Sequence, residues 1–500
     1  MPDRAPSRRW PRRIPLCIAN AVLVAGTLAA WHYASAGLAL SHYDARAHLV
    51  VARRIFDSLT PGWQQIGAVW LPLPHVLNAI PVQVDAWYRS GASGTAISVI
   101  SMAAAAWALA ALIVRTTGSV TAAAAGAVLL MVNPNVLYLQ STPMTEPLLF
   151  GTTFVGIALT AAWLDRGAPV PARAPGLALA AACMTRYEAW LVTVATVVLS
   201  ALVLWRRGRA IRETAYASAR LAAYPIVVVA LFMLNSRWTV GEWFVSGGFF
   251  AAENEALGRP FEALSQVQEG LYRLSGAATV WPAWAGAALV AAGFVRSKTR
   301  APLALVLALA AAAALPWFAY FEGHPFRVRY SLPLVAASAA ITAVGLSLLP
   351  SRLRGAAAAA VVAATLLQAS PLDRSAALVV ESQRDERNRA GRLAATAYLA
   401  EHDDGTTIMM SMGSLAHYMH DLSHAGFNIR DFLHEGNGEL WTYALDLGPQ
   451  GFAGWVAIEE RAEGGDILFH HARRNPEWLA GFERVAEGGG VALYRRRDKE

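Results

Sequence analysis

Long apolar segments limit the possible folds of this chain more than any other feature of its sequence. A bilayer has roughly 30 Å of hydrocarbon, and backbone polar groups at that depth must pair within their own helix. Eleven segments suited to crossing it lie near residues 14–36, 95–114, 119–135, 147–164, 175–187, 189–205, 221–236, 276–295, 301–320, 331–349 and 355–370. The sequence therefore predicts a polytopic α-helical membrane protein with about 11 transmembrane helices.

The composition agrees with a bilayer as the solvent. Apolar residues make up 55% of the 500 residues and charged residues 15%, whereas a soluble chain carries about 25% charged residues. The net charge of +7 comes from short basic clusters between apolar segments, which argues against a nucleic-acid partner. Cys17 and Cys183 both lie in apolar segments, so we expect no disulfide.

The distribution of arginine predicts the topology. Arg8, Arg9, Arg12 and Arg13 precede the first apolar segment; without a small-residue cleavage site, this segment is predicted to be a retained helix with a cytoplasmic N-terminus. Loops assigned to the cytoplasm carry several basic residues for each acidic one, whereas the opposite loops are balanced, as the positive-inside rule requires. Arginine in place of nearly all lysine, with many alanines, favours a bacterial cell, and we expect its inner membrane.

Two regions follow from this topology. Residues 1–370 form the predicted transmembrane domain, and residues 371–500 a soluble domain, which an odd number of crossings places outside the cytoplasm. The second region contains an amphipathic helical stretch from Glu381 to Glu401 and strand-like runs at 406–411, 454–458 and 491–495. This pattern predicts a small extracytoplasmic α/β domain.

Two predicted outer loops are long. In the first, 41–94, a helix begins near Asp44 and has an apolar arc opposite a charged one, so we expect it to lie in the membrane interface. Its apolar arc comprises Leu49, Val51, Ala52, Ile55, Phe56 and Leu59, and the charged arc Arg46, Arg53, Arg54 and Asp57. The second loop, 237–275, is rich in aromatic residues, and a turn at Arg259 suggests a mobile cover for a site.

Ionisable residues gather on the predicted outer side. Asp44 lies where the first helix leaves the membrane, and Glu146 lies at the outer end of the fourth apolar segment. The alternatives are that Asp44 is the N-cap of a helix and that Glu146 is a first-turn carboxylate favoured by the helix dipole. Arg186 and Glu188 interrupt an apolar stretch, either as site residues or as a structural ion pair.

A second group joins the ninth and tenth apolar segments on the same side. It comprises His324, Arg327 and Arg329, for which interfacial snorkelling is the alternative. Carboxylates and cations on one face suit a group transfer from a phosphate leaving group, because a carboxylate accepts the proton of the acceptor and cations stabilise the phosphate. His417, His420 and His424 with Asp421 have helical spacing for zinc, but exposed polar residues of a soluble domain are the favoured interpretation, so no metal or cofactor is predicted.

The order of several motifs resembles a known family. The motifs are Tyr43-Asp44, Trp70-Leu71-Pro72-Leu73-Pro74-His75, Thr145-Glu146-Pro147, Arg186-Tyr187-Glu188, Arg327-Val328-Arg329-Tyr330 and the C-terminal Gly488-Gly489-Gly490-Val491-Ala492-Leu493-Tyr494-Arg495-Arg496. Together they resemble the GT-C glycosyltransferases, in the branch of the protein O-mannosyltransferases and the lipid A aminoarabinose transferase. The resemblance covers most of the membrane region and extends to the C-terminal domain.

The resemblance implies an inverting transfer of a sugar from a polyprenyl-phosphate carrier to a lipid, glycan or protein acceptor at the outer face. Asp44 takes the role of the base. Some members have an Asp-Glu pair there, whereas Ala45 follows Asp44 in this chain, so Glu146 is expected to supply the second carboxylate. The substrate-binding set that follows is His75, Arg186, Glu188, His324, Arg327 and Arg329, with Arg186 and either Arg327 or Arg329 on the carrier phosphate.

Two other classes of function compete with this hypothesis. In a transporter or lipid flippase, charged residues would line a path near the midplane, often in internal repeats, whereas these charges gather at one face. A non-catalytic envelope-assembly protein would depend on the C-terminal domain, and Asp44 would be dispensable.

Overall fold

The computed structural model describes residues 13–168, 171–245 and 253–497. Arg8, Arg9 and Arg12 of the predicted topology signal lie outside these residues, as does the part of the second outer loop at 246–252. All eleven predicted apolar segments coincide with helices. In chain order the helices before residue 370 are α1 (Arg13–Ser35), α2 (Tyr43–Arg53), α3 (Leu73–Asn78), α4 (Asp85–Ser90), α5 (Ala92–Thr117), α6 (Val120–Val132), α7 (Pro134–Leu139), α8 (Glu146–Asp165), α9 (Arg173–Cys183), α10 (Glu188–Arg206), α11 (Ile211–Val240), α12 (Pro260–Ser275), α13 (Ala277–Arg296), α14 (Ala314–Phe321), α15 (Leu332–Leu348) and α16 (Ser351–Gln368).

Eight helical segments in the described part of the chain are long and apolar enough to cross a membrane. They are α1, α5, α8, α10, α11, α13, Ala301–Phe321, which begins as a 3-10 helix and continues as α14, and Val328–Leu348, which contains α15. The shorter helices α6, α9 and α16 match the other three predicted segments. The protein is thus a polytopic helical membrane protein, and the count of eleven crossings stays a prediction.

The membrane helices differ in how far the rest of the protein encloses them. In the most apolar stretch of each helix, the share of residues that are buried is 72% in α5, 78% in α8 and 94% in Val328–Leu348, against 22% in both α1 and α11. The first three helices therefore form the centre of the bundle. Two of them, α8 and α15, begin next to charged residues, which places those charges at one end of the enclosed core.

The C-terminal region is a small α/β domain, as predicted. Its helices are α17 (Ala377–Gly391), α18 (Leu393–His402), α19 (Met412–Leu422), α20 (Glu439–Leu447) and α21 (Ile467–Arg474), and its strands are β1 (Ile408–Met410), β2 (Phe432–Leu433), β3 (Trp455–Glu459), β4 (Phe482–Gly488) and β5 (Val491–Arg496). The strand order is β2-β1-β3-β5-β4; β1 pairs parallel with β2 and β3, and β5 pairs antiparallel with β3 and β4.

Three predicted strands correspond to β1, β3 and β5, but other parts of this domain were not foreseen. The helical stretch from Glu381 to Glu401 is two helices, because the first ends at Gly391 and the second begins at Leu393. Strand β2 has two residues, and β4 is largely exposed, with three clearly exposed side chains. Neither strand carries a hydrophobic pattern strong enough to identify it.

The prediction of an interfacial helix in the first outer loop is wrong. Helix α2 ends at Arg53 instead of near Leu59, and every residue from Asp44 to Arg53 is buried. Its apolar residues Leu49 and Val50 belong to one core with residues of the C-terminal domain, among them Trp455. The helix is therefore sandwiched within protein, and the two predicted regions share a hydrophobic core.

The charged arc of this first loop explains why α2 is buried, because these charged residues face the C-terminal domain instead of water. Arg46 forms a buried ion pair with Asp421 of α19 at 2.7 Å, and Arg389 of α17 reaches the same carboxylate at 3.1 Å. Just beyond the helix, Asp57 pairs with Arg53 at 2.8 Å and with Arg430 at 2.9 Å. These pairs fix α2, and with it Asp44, against the C-terminal domain.

We expect Asp421→Asn to destabilise the protein by about 3–5 kcal/mol, because the buried Arg46 guanidinium would lose its anion while keeping the cost of desolvation. The free energy of unfolding in mixed detergent micelles measures this effect. Asp446→Asn, at an exposed position on α20, is the matched control and should change the free energy by less than about 0.5 kcal/mol. Equal effects of the two substitutions would contradict a stabilising role for the pair.

Candidate active site

The first functional side chain is held at the start of α2. His42 is the N-cap of this helix, and its Nδ1 accepts a hydrogen bond from the backbone N–H of Asp44 at 3.1 Å. The alternative that Asp44 is itself the N-cap is therefore wrong. Asp44 lies in the first turn, so its carboxylate is available to groups outside the helix and benefits from the positive end of the helix dipole.

Asp44 contacts an arginine that lies 285 residues later in the sequence. Nη2 of Arg329 donates a hydrogen bond to Oδ2 of Asp44 at 2.5 Å, and the two side chains are only 11% and 12% exposed. Arg329 stands on a short 3-10 helix, Val328–Ser331, that leads into α15. Burial alone would raise the pKa of Asp44, but the charge and hydrogen bond of Arg329, together with His42 and His48, outweigh burial and hold this pKa well below its usual range.

Glu146 is the second carboxylate of the site. It is the first residue of α8 and is completely buried. Its Oε1 lies 3.6 Å from Nε of Arg329 and 3.3 Å from Nη1 of Arg186. Neither carboxylate oxygen has a hydrogen-bond partner in the described part of the chain. Glu146 is thus in the first turn of a helix, as the alternative predicted. In addition, its carboxylate lies close to two guanidinium groups.

Arg186 and Glu188 complete a chain of alternating charges. Nη2 of Arg186 lies 2.9 Å from Oε1 of Glu188, and Nη1 donates a hydrogen bond to Oγ1 of Thr145 at 3.0 Å. The structural ion pair considered from the sequence is therefore present, yet the same guanidinium also reaches Glu146. This charge chain runs from Asp44 through Arg329, Glu146 and Arg186 to Glu188. It joins the N-terminal ends of α2, α8 and α10 to the residues that precede α15.

Three histidines and a tryptophan lie near the Asp44 end of this charge chain. Nδ1 of His48 lies 3.1 Å from Nε2 of His75, and Trp70 packs on both imidazole rings. Nε2 of His42 lies 3.4 Å from Nη1 of Arg329. Sequence analysis found His75 but missed His42 and His48; the spacing of four residues between Asp44 and His48, one helical turn, was a usable signal.

Burial keeps these histidines neutral. It lowers the pKa of His42 to about 3, with the positive charge of Arg329 acting in the same direction, and lowers the pKa of His48 to about 4. The pKa of His75 is also well below its usual value because of burial and the neighbouring His48. Neutral imidazoles can accept or donate hydrogen bonds near the carboxylates without adding charge.

The remaining predicted residues lie beside the charge chain. His324 is 3.3 Å through its Nε2 from the hydroxyl of Tyr330, the residue after Arg329. The backbone carbonyl of Arg327 accepts a hydrogen bond from Tyr320 of α14 at 2.8 Å. A carboxyl that sequence analysis did not single out, Glu381 of α17, lies close enough to interact electrostatically with Arg327 and Arg329.

The histidines considered for zinc are engaged elsewhere. Nε2 of His417 lies 2.5 Å from Nη1 of Arg392, and Nε2 of His420 lies 3.1 Å from the carbonyl of Tyr88. Across residues 13–168, 171–245 and 253–497, no group of three or more His, Cys, Asp or Glu side chains is arranged to hold a metal ion.

The arrangement can perform two chemical tasks. A carboxylate at a helix start can accept a proton from a hydroxyl group, and two partly exposed guanidinium groups can bind an anion. Both groups lie at the ends of membrane helices.

Comparison with known proteins supports the fold. No protein-family model matches the chain, and no curated protein matches it. Solved structures do match it. Among them, the crystal structure of ArnT from Cupriavidus metallidurans bound to undecaprenyl phosphate has 13% sequence identity and a TM-score of 0.57, and the match covers 96% of this chain and 97% of that one. The apo state of the same protein, at 14% identity and a TM-score of 0.54, covers 95% and 97%. The chain therefore shares a fold with ArnT over nearly its whole length.

The neutral histidines predict acid sensitivity. An unfolded histidine has a pKa near 6.5, so below this pH the unfolded chain binds more protons than the folded one. The free energy of unfolding therefore decreases as the pH is lowered. For His42, the loss between pH 7 and pH 5 should be roughly 2 kcal/mol. His42→Asn keeps an N-cap acceptor but cannot titrate, and should flatten the dependence by that amount.

Unfolding in detergent micelles at pH 7 and pH 5 measures this difference. His470→Asn, at an exposed position, is the control and should leave the pH dependence of the wild-type protein unchanged. If His42→Asn also left the dependence unchanged, His42 would not be a buried neutral group.

Proposed function

We propose that this protein is an inverting glycosyltransferase that moves a sugar from a polyprenyl-phosphate donor to an acceptor at the outer face of the bacterial inner membrane. The observation that carries the proposal is the buried chain of alternating carboxylates and arginines from Asp44 to Glu188. It combines a base and an anion-binding group in direct contact at one end of the membrane helices. A polyprenyl carrier keeps its phosphate at this depth while its chain stays among lipids.

In the proposed reaction, the acceptor hydroxyl attacks the anomeric carbon of the sugar. The new bond joins the acceptor oxygen to this carbon, the bond from the carbon to the phosphate oxygen breaks, and its electron pair stays on the phosphate. Asp44 accepts the proton of the acceptor. Attack from the face opposite the phosphate inverts the anomeric configuration. A general base of this kind contributes about 10²–10⁴-fold to a rate.

Arg329 and Arg186 are the proposed phosphate ligands. Planar guanidinium groups bind phosphate through paired N–H donors, and both residues already bridge two carboxylates. Arriving phosphate would compete with Asp44 for Arg329. Because the positive charge of Arg329 lowers the pKa of Asp44, this exchange would make Asp44 a stronger base when the donor is bound.

Glu146 is the proposed second carboxylate. It lies between the two arginines and is buried without a hydrogen bond in the described part of the chain. Ionic contact with both guanidinium groups lets it hold them at a fixed separation. Its role is therefore to orient the phosphate ligands, and a hydroxyl group of the sugar or acceptor would satisfy its free oxygen atoms.

The shared fold supports the class of substrate. ArnT, whose fold this chain shares, was crystallised bound to undecaprenyl phosphate. A polyprenyl phosphate is consistent with the arginines and the lipid-depth position in this chain. A transporter is less consistent, because the charged residues meet at helix ends and form ion pairs with one another. The sugar and the acceptor depend on pocket shape, which short motifs do not encode.

Replacement of the proposed base tests the function. We expect Asp44→Asn to lower the rate of sugar transfer from polyprenyl-phosphate donors by about 10²–10⁴-fold. Asp85→Asn, in the same loop but 54% exposed and bound to Arg53, should retain nearly full transfer. Purified full-length protein in lipid nanodiscs, with donors that carry different sugars, is the assay. Undiminished transfer by Asp44→Asn would remove Asp44 as the base, whereas a wild-type protein without any transfer would favour the non-catalytic alternative.

The outer-face location has its own test. Leu447 at the end of α20 is 74% exposed, and Ile211 at the start of α11 is also 74% exposed, but the two are predicted on opposite sides of the membrane. In a Cys17→Ser background, an impermeant maleimide should label Leu447→Cys in intact spheroplasts. Ile211→Cys should react only after permeabilisation. The reverse pattern would place the C-terminal domain in the cytoplasm and contradict an outer-face reaction.

A further inference from the structure

The backbone on both sides of Trp70 is tied to the segment that carries Arg186. The hydroxyl of Tyr187, the residue after Arg186, donates a hydrogen bond at 2.7 Å to the backbone carbonyl of the residue before Trp70. The backbone N–H of Leu73 donates to the carbonyl of Met184 at 2.9 Å. Trp70 therefore keeps a fixed position relative to one of the proposed phosphate ligands.

The ring of Trp70 lies against the helix that carries the proposed base. Its centroid is 4.1 Å from that of His48, which follows Asp44 by one helical turn on α2. Asp44 and the next three members of the charge chain all interact electrostatically with His48. The ring of Trp70 therefore borders the space between the proposed base and the proposed phosphate ligands.

One face of the indole is covered by two histidines. The centroid of His75 is 5.8 Å from that of Trp70, with the ring planes 17° from parallel, and 5.3 Å from the centroid of His48. Imidazoles on opposite faces of an indole would lie at least about 7 Å apart, because each keeps a carbon contact distance from the ring. Both imidazoles therefore pack on the same face of Trp70.

Part of the ring stays accessible to a ligand. Trp70 is partly exposed, and its indole N–H has no hydrogen-bond partner in the described part of the chain. Two other tryptophans at outer helix ends do pair this group: Trp63 donates to Asn235, and Trp190 to the carbonyl of Cys183. A packed tryptophan usually pairs its N–H, so Trp70 offers both an apolar surface and a donor at the site.

We propose that Trp70 binds the donor sugar by stacking its indole on the C–H face of the sugar ring. The inference rests on the proposed function and deepens it, because it names the residue that recognises the sugar portion of the donor. In an inverting transfer the anomeric carbon lies between the base and the departing phosphate, so the sugar occupies the space that Trp70 borders. The electron-rich face of an aromatic ring attracts weakly positive C–H groups, and the N–H at the ring edge can donate to a hydroxyl of the same sugar.

Carriers with and without a sugar separate this role from phosphate binding. The probes are bare undecaprenyl phosphate and the same carrier linked to glucose, mannose or arabinose. Because all three sugars present C–H faces, the wild-type protein in lipid nanodiscs should bind each glycosylated carrier about 3- to 10-fold more tightly than the bare one. Trp70→Leu should abolish this preference and leave the affinity for the bare carrier unchanged.

Two further variants separate stacking from a general effect of a loop tryptophan. Trp70→Phe keeps an aromatic face and should retain most of the preference for glycosylated carriers. Trp87→Leu, in the same loop and 50% exposed, is the matched control and should bind all carriers as the wild-type protein does. A preference that persists in Trp70→Leu would overturn the role of Trp70, as would a wild-type protein that binds bare and glycosylated carriers equally.

Oxidation of the wild-type protein gives a second readout that does not require the leucine variant to fold. Hydroxyl radicals modify accessible tryptophan rings, and mass spectrometry reports the extent of oxidation at each position. A glycosylated carrier should protect Trp70 more than the bare carrier does, whereas the oxidation of Trp87 should be the same with both. Equal oxidation of Trp70 with the two kinds of carrier would contradict stacking on the sugar.

The outcomes distinguish this inference from the proposed function. If the wild-type protein binds none of the carriers, both proposals are overturned. If it binds and transfers sugar but Trp70→Leu keeps the preference, only the role of Trp70 is overturned. If Asp44→Asn transfers sugar normally while Trp70→Leu loses the preference, the base is overturned and the sugar-binding role of Trp70 is supported.

Discussion

Arg329 lies between two buried carboxylates at the ends of the membrane helices. Charges at the edge of a hydrocarbon core are tolerated when they are paired, and removing one partner of a buried pair leaves an uncompensated charge. Arg329 meets Asp44 on α2 and Glu146 on α8. The charge chain therefore fixes which helix ends meet, and any substrate anion must bind by competing with contacts that already hold the bundle together.

The C-terminal domain takes part in the same arrangement from the other side. Helix α2 lies between the membrane helices and this domain, so Asp44 faces Arg329 while Arg46, two residues later, pairs with Asp421. The shared hydrophobic core around α2 makes the domain a structural part of the site. Glu381 extends this relation, because it carries a carboxyl from the C-terminal domain to the same arginines.

The residues that sequence analysis identified and those that it missed differ in a physical property. Asp44, Glu146, Arg186, Glu188 and Arg329 were found because ionisable residues stand out at the ends of apolar segments. His42 and His48 were missed because neutral, buried histidines have no such signature, and only the helical spacing from Asp44 marked His48. Glu381 was counted as the start of an amphipathic helix, where a glutamate is ordinary.

The sequence was sufficient to predict the class of fold, because hydrocarbon forces every crossing segment to be apolar and helical, and such segments can be recognised from local sequence. It also determined which charged residues flank them. The folded structure was needed to show that α2 is buried instead of lying in the membrane interface, since a charged arc has the same pattern whether it faces water or a complementary ion such as Asp421. It likewise decided which arginine meets which carboxylate, because pairing across 285 residues, as between Asp44 and Arg329, depends on packing that no local pattern encodes.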